Sequence, residues 1–244
     1  MIVLLTDFGL EGPYIGQVAA VLHRQAPAVP VVNLFSDLPP FDIQAAACLL
    51  PAYTDRLPPG TVCLCVVDPG VGGERPGCVV AAGGRWYVGP DEGLFTLLAR
   101  HADSISCYHL PAVQGASPSF HGRDVFAPAA AWLARQGQVS ESWQAASVTL
   151  RDDWPDDLSR ILYIDRFGNA VTGLRAISVA APSLLRVNGH ELRRAVTFSS
   201  VDTGQAFWYE NANGLVEIAV NRGRAETVLG VQIGTPVEIL LYEN

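Results

Sequence analysis

Hydrophobic and polar positions follow two interleaved periods in the first half of the chain. Ile2–Leu5 is a continuous apolar run, as in a strand buried on both faces, and it ends in the polar turn Thr6-Asp7-Phe8-Gly9. Ile15, Val18, Ala19 and Leu22 then recur at helical spacing. Val31–Phe35 predicts a second buried strand, and Ile43, Ala46, Ala47 and Leu50 a second helix. Thr61–Val67 is the strongest strand signal and runs into Asp68-Pro69-Gly70. Cys78–Ala82 and Arg85–Val88 flank Gly83-Gly84 and predict a hairpin. Leu94, Leu97 and Leu98 mark a third helix, Ser104–Leu110 a strand, and Val113–Ser119 a loop of small residues. Phe126, Ala129, Ala130 and Leu133 predict a helix after Asp124, with Pro128 tolerated in its first turn. Strands alternating with helices imply an α/β N-terminal domain over residues 1–140, its mostly parallel sheet covered by helices.

The pattern changes after Gly137. Residues 141–159 carry two acidic pairs around Trp154-Pro155 and predict a linker. From Arg160 onward no helical period is visible. Ile161–Ile164, Ala170–Leu174, Leu184–Val187, Phe207–Tyr209, Val216–Val220 and Val237–Tyr242 are strand-like runs separated by turn residues such as Asn188-Gly189 and Asn213-Gly214. Residues 160–244 therefore predict an all-β, barrel-like C-terminal domain.

Composition narrows the chemistry. The chain has 244 residues and a formal charge of −8, and all 16 basic residues are arginine. A Schiff-base lysine and a phosphate-loop lysine are thus excluded. An acidic chain with scattered arginines is a poor nucleic-acid binder. The five cysteines include no Cys-x-x-Cys and sit in apolar runs, as small buried hydrophobes do in a reduced compartment. The first residues lack a basic leader and a cleavage site, and no stretch is long and apolar enough to span a bilayer. These features imply a cytoplasmic protein without a membrane partner. The five histidines show no metal-ligand spacing, so no metal site is expected.

Candidate chemistry sits where strands end, since ligands of open α/β sheets bind outside the carboxyl ends of strands. Asp7 reads as a turn or cap residue, or as a carboxylate accepting hydrogen bonds from paired hydroxyls such as a ribose diol. Asp68 opens a turn followed by Gly70, Gly72 and Gly73, a density that argues for close backbone approach. Arg75 is near enough to pair with Asp68, holding the carboxylate ionised and oriented, or forming only a surface ion pair worth about 0–1 kcal/mol. His121, in Phe120-His121-Gly122-Arg123-Asp124, is a cap residue or the best acid–base candidate among the histidines. Asp165, Phe167 and Asn169 interrupt two strand runs. They form a hairpin turn with Gly168 at positive φ, or present a charge, a stacking face and an amide.

These segments together resemble the S-adenosylmethionine hydrolases, also called S-adenosylmethionine hydroxide adenosyltransferases, relatives of the fluorinase and chlorinase. The likeness runs in order through Thr6–Gly9, Val66–Gly72 with Arg75, Gly89-Pro90-Asp91, Phe120–Asp124, Ile164–Asn169 and Asn211–Ala219. It implies the same two-domain plan and a homotrimer with active sites between subunits. It also implies attack of water on S-adenosylmethionine at the ribose C5′ to give adenosine and methionine, with no cofactor and no metal. Asp68, Arg75 and His121 would then be the catalytic set that binds and activates water. Asp7 would hold the ribose hydroxyls, and Phe41 and Phe120 would wall the adenosine. Phe8, Val71, Gly122 and Phe167 would complete the substrate-binding surface. Asp165 would meet the methionine ammonium and Asn169 the adenine edge.

Some positions depart from the family pattern. Asn33 and Ser36 stand where Asp and His are usual, Glu92 replaces Asn, and Ala212 replaces the Ser expected near the methionine carboxylate. Asn213, Tyr14 and Arg222 are the candidates to take over that end. Two other functions are compatible with the resemblance. A halogenase would place halide where this chain has Asp68, Val71 and Gly122. A carboxylate there opposes halide by about 4 kcal/mol at ~4 Å and an effective dielectric near ~20. A non-catalytic adenosine or S-adenosylmethionine binder would have no need for the Asp68, Arg75 and His121 set.

Overall fold

Strand β1 (Ile2–Thr6) is buried along its whole length because it lies between two parallel neighbours, β2 (Val31–Phe35) and β3 (Val62–Val66). The computed structural model describes residues 1–180 and 183–240. The chain divides into two units, Met1–Trp154 and Pro155–Asn244.

The N-terminal unit holds one seven-stranded sheet. Its remaining strands are β4 (Gly77–Ala82), β5 (Arg85–Pro90), β6 (Ile105–His109) and β7 (Gln144–Ala146). The order is β2-β1-β3-β5-β4-β6-β7. The sheet is mixed, not mostly parallel as the alternation predicts. Gly83 and Gly84 both have positive φ, 54° and 72°, the geometry of a two-residue hairpin turn. Such a turn joins only antiparallel strands, so β5 returns beside β4 and takes the place next to β3. β6 and β7 continue antiparallel from there. β7 falls within the stretch read as linker.

Helices cover both faces. Helices α1 (Tyr14–Gln25) and α4 (Ala127–Gln136) pack on each other. Val18, Leu22, Ala130 and Leu133 meet Ile2, Leu4, Val62, Leu64 and Val66, the even-numbered residues of β1 and β3. On the odd-numbered side of β5, Tyr87 meets Thr54 at the end of α2 (Ile43–Thr54) through a 3.1 Å hydrogen bond. Tyr87 also touches Phe95, just before α3 (Thr96–His101).

The C-terminal unit has two antiparallel sheets. Strands β8 (Leu158–Ile164), β9 (Ala170–Arg175), β12 (Ala206–Glu210) and β13 (Leu215–Val220) are ordered β12-β13-β9-β8. Strands β10 (Leu184–Val187), β11 (His190–Leu192) and β14 (Glu238–Leu240) are ordered β11-β10-β14. Leu241 and Tyr242, read as the end of the last strand, lie outside the described residues. Ile161, Leu185, Trp208, Val216 and Ile218 share one core. A short helix, α5 (Ala225–Leu229), appears where none is expected. It is a single turn closed by Gly230 at φ 64°, too short to show a period in the sequence.

Candidate active site

The sheet brings Asp7 and Asp68 together. Thr6 and Val66 are register partners at the carboxyl ends of β1 and β3, and the next residue's N–H, that of Asp7, donates to the Val66 carbonyl at 3.2 Å. Both carboxylates therefore open into one cleft of about 310 Å³. Phe8, Tyr14, Phe41, Val71, Phe120, His121 and Gly122 line it as well. So do Pro40, Val66 and Ser119, which sequence reasoning did not single out. Their one signal is adjacency to a named residue.

Arg75 reaches back across its loop and grips Asp68 with two arms. Its Nε donates to Asp68 Oδ1 at 2.8 Å, and a terminal nitrogen donates to Oδ2. The two side chains are only 8% and 6% exposed, so this is a buried pair and not a surface one. The same terminal nitrogen of Arg75 lies 3.0 Å from His121 Nδ1. A guanidinium only donates, so Nδ1 accepts and the ring proton of the neutral imidazole sits on Nε2. Burial, then the Arg75 charge, push the His121 pKa below its ordinary 6.5, against the opposing pull of Asp68 and Asp124. Phe126 lies beneath both groups, 5.3 Å from the guanidinium carbon and edge-on to the His121 ring.

The loops carrying Asp68 and His121 touch backbone to backbone. Gly72 has φ 81°, and a Cβ there would lie 2.5 Å from the Pro118 carbonyl oxygen. Behind the first loop, Glu92 packs its carboxyl against Gly70, where an added Cβ would meet Oε2 at 2.7 Å. That Oε2 is buried with no hydrogen-bond partner among the described residues. His121 directly precedes a π-helical turn, Gly122–Phe126. Arg123 ties this turn down: it pairs with Asp124, donates to Gln17 and lies 5.1 Å over Phe120. Asp124 in turn accepts from the Ser117 N–H at 2.9 Å.

The opposite wall is aromatic. Phe8, Tyr14 and Phe120 form a triangle of rings with centroids 5.5–6.0 Å apart. Gly122 permits it, since a Cβ there would be 2.9 Å from Phe8 Cζ. Asp7 accepts the Phe41 N–H at 3.1 Å. Burial raises the Asp7 pKa above its ordinary value, the backbone N–H of Phe41 lowers it, and the nearby charge of Asp68 adds to the rise. Among the departures from the family pattern, Ser36 donates to Asn33, so the substituted pair still bonds internally.

Asp165, Phe167, Asn169, Asn213 and Arg222 belong to the C-terminal unit. Asp165 shapes the β8–β9 turn: Oδ1 accepts the N–H groups of Phe167 and Asn169, and Oδ2 accepts the Asn169 amide at 3.0 Å. Phe167 stands at the tip, 76% exposed. Gly168 has φ 86°, and a Cβ there would collide with Arg224 at 2.6 Å. Arg222, two residues earlier on that packed loop, is itself left-handed at φ 58°. Asn213 lies on the separate β12–β13 turn, where its N–H donates to Asn211 Oδ1 at 2.9 Å. Asn211 also donates to the buried Glu217 at 2.8 Å. Among the described residues, no group of three or more His, Cys, Asp or Glu side chains could hold a metal ion. Nor is any described helix long and apolar enough to cross a membrane.

A buried carboxylate–guanidinium pair with a half-buried imidazole, beside an aromatic cleft at strand ends, has the form of a small-molecule site of an α/β fold. The model of the SAM hydroxide adenosyltransferase N-terminal domain matches residues 2–142, and that of the C-terminal domain matches residues 159–238. The chain belongs to the SAM hydroxide adenosyltransferase family. It is 42% identical to a Thermus thermophilus protein named (R)-S-adenosyl-L-methionine hydrolase, over 97% of this chain and 98% of that one. A Salinispora tropica protein of the same name is 33% identical over 96% and 95%. The crystal structure of an uncharacterized conserved protein from Thermotoga maritima superposes with a TM-score of 0.86 at 30% identity, over 99% of this chain and 100% of that one. That of a conserved hypothetical protein from Thermus thermophilus gives 0.77 at 40% identity, over 98% and 99%.

Proposed function

We propose that this protein hydrolyses S-adenosyl-L-methionine to adenosine and L-methionine. The observation that carries the reading is the linked set Asp68–Arg75–His121 at the edge of the cleft that also holds Asp7. The names of the relatives add a refinement. The "L" already fixes the α-carbon, so the "(R)" describes the sulfonium, and we take the R epimer as substrate.

The chemistry follows from the charges. A sulfonium leaves as a neutral thioether, so no acid need protonate it. Water attacks C5′ in line, the C5′–O bond forms as the C5′–S bond breaks, and the bonding pair returns to sulfur. Holding water in that near-attack position supplies about 7–11 kcal/mol of barrier reduction. The attacking oxygen then bears a proton too many, and such a protonated alcohol is a strong acid that a carboxylate readily relieves.

The His121 tautomer supports one division of roles. Nδ1 is occupied by Arg75 and Nε2 already carries a proton, so His121 donates to the water oxygen and orients it. Each oxygen of Asp68 keeps a lone pair beyond its Arg75 bond, so Asp68 takes the proton. Arg75 remains protonated and holds both partners. Asp7 takes the ribose hydroxyls, while Phe8, Phe41 and Phe120 enclose the adenosine beside Val71 and Gly122. An apolar surround at sulfur favours loss of the sulfonium charge in the transition state.

The same proposal includes the finer architecture. Isolated bridges Arg160–Pro236 and Arg194–Trp208 link edges of the two C-terminal sheets, which supports a closed barrel. We take the protein to be a cytoplasmic homotrimer in which Asp165, Phe167 and Asn169 of one subunit, with Asn213 or Arg222 at the methionine end, complete a neighbour's site beside that site's own Tyr14. Light scattering checks the three-copy mass.

The decisive experiment uses both sulfonium epimers in oxygen-18 water with chloride present. Label at the adenosine 5′-oxygen from the R epimer is the expected result. Absence of adenosine from both epimers with folded protein would overturn the reading, and 5′-chloroadenosine would make it a halogenase.

A further inference from the structure

Phe41 occupies a backbone position that an aromatic residue rarely takes. The Asp42 N–H donates to the Pro39 carbonyl at 3.3 Å, closing a turn over Pro39-Pro40-Phe41-Asp42. Phe41, its third residue, has φ 63°. Proline at the second position cannot have positive φ, so the turn is type II, whose third position strongly favours glycine. A bulky residue there is strained and persists only where its surroundings hold it. Packing within the chain does not hold it, because Phe41 is 75% exposed. What meets it, among the described residues, is a long-range bond from its N–H to Asp7 Oδ2 at 3.1 Å, across 34 residues of sequence. In a type II turn that N–H has no partner inside the turn.

We infer that Asp7 is a positioning residue for Phe41 as well as a ligand-binding one: Oδ2 fixes the strained turn so that the Phe41 ring stands as a preset wall of the cleft, and Oδ1 is left for the ribose. The inference rests on the adenosine reading of the cleft. A ribose-only role for Asp7 needs neither the bond to Phe41 nor a phenyl ring at a glycine position. Sugar recognition and base recognition are thereby coupled through one carboxylate.

The test separates the two roles by removing the hydroxyls. Binding of adenosine and of 2′,3′-dideoxyadenosine is measured by calorimetry for wild type, Asp7→Ala, Asp7→Asn, Phe41→Gly and Asp7→Ala/Phe41→Gly. Dideoxyadenosine lacks the 2′- and 3′-hydroxyls and so cannot report on contacts to the ribose diol. Asp7→Ala should still weaken it about tenfold, the range of one lost base–aromatic stack. Asp7→Asn keeps an oxygen for the Phe41 N–H and should leave dideoxyadenosine binding within about twofold, a conservative rescue that also guards against misfolding. In the Phe41→Gly background the Asp7→Ala loss for dideoxyadenosine should vanish. Unchanged dideoxyadenosine affinity in Asp7→Ala, with adenosine affinity reduced, would overturn the inference and leave the adenosine reading standing. A loss that persists undiminished in the Phe41→Gly background would also overturn it. Failure of adenosine to bind the wild type would overturn both.

Discussion

Arg75 donates to His121 Nδ1 at 3.0 Å, and that contact decides which imidazole nitrogen is free to face the cleft. The pair survives only while His121 is neutral, because a protonated ring would set Nδ1–H against a guanidinium N–H. The His121 pKa lies below 6.5, through burial first and Arg75 second. Turnover should therefore be flat near neutrality and fall as pH drops, with a midpoint under 6.5 in kcat/KM. Folding follows the same sign: a depressed pKa contributes stability above the unfolded value and loses it as pH falls through the folded one. His121→Asn places an amide oxygen where Nδ1 was, so it should keep the Arg75 contact and abolish the acidic limb. A pH–rate profile of that variant with the limb unchanged would exclude His121 as its source.

Asp68 and Arg75 act as a unit. Asp68→Asn removes the proposed proton acceptor and should lower kcat by about 10²–10⁴-fold while leaving adenosine affinity within a few fold. Arg75→Lys keeps the charge and loses the two-armed geometry, so it too should lower kcat with KM little changed. Equal losses in adenosine affinity and kcat would instead make the pair a structural element of the cleft.

Gly72→Ala should separate the loops that carry Asp68 and His121. Its Cβ would fall 2.5 Å from a carbonyl oxygen, and its φ of 81° is unfavourable for alanine. Neither wall is a flexible side chain, so the Asp68 and His121 loops must move apart. A fall in kcat of about 10²-fold is expected, since displacements near ~1 Å have that effect. Gly122→Ala presses instead on the Phe8 ring, which can shift, and should mainly raise KM. Steady-state kinetics of the two variants distinguish these outcomes.

Asp7 should trade stability for binding. Its carboxyl is held above the ordinary range by burial, so folding favours the protonated form. Stability from that group is present below the unfolded pKa of 3.8 and is lost as pH rises through the raised folded value. Asp7→Asn removes this cost at neutral pH and should raise the melting temperature by about 2 °C. It should also weaken adenosine binding by about tenfold, the scale of one charge-assisted hydrogen bond. A melting temperature below that of wild type would contradict this assignment.

Much of this was legible in the sequence, and the exceptions have physical causes. Buried strands such as Val62–Val66 are continuous apolar runs, so β1 and β3, and hence Asp7 and Asp68 at their ends, stand out directly. Strand order does not, because alternation records neighbours along the chain and not across the sheet. Gly83-Gly84 signals a hairpin, yet only the folded sheet shows which of its strands sits beside β3. Asp68 with Arg75 was readable from a glycine-rich return of seven residues. The Phe41 turn was harder: Pro39-Pro40 hints at it, but positive φ at phenylalanine leaves no compositional trace. Glu92 was visible only as a departure from the family pattern, and its place behind Gly70 is a tertiary fact. The short helix α5 fell below the length at which periodicity can speak.

All five cysteines are free and buried. Burial pushes the Cys63 thiol up to about 12 and the Cys65 thiol well above its ordinary value. Both lie on β3, the strand whose end leads to Asp68, whereas Cys78 and Cys107 lie on the antiparallel side of the sheet. In the closed protein these thiols are shielded from alkylating reagents. They therefore form a built-in set of clocks: trapping rates at each site time the local openings of the parallel and the antiparallel halves separately, without any introduced label.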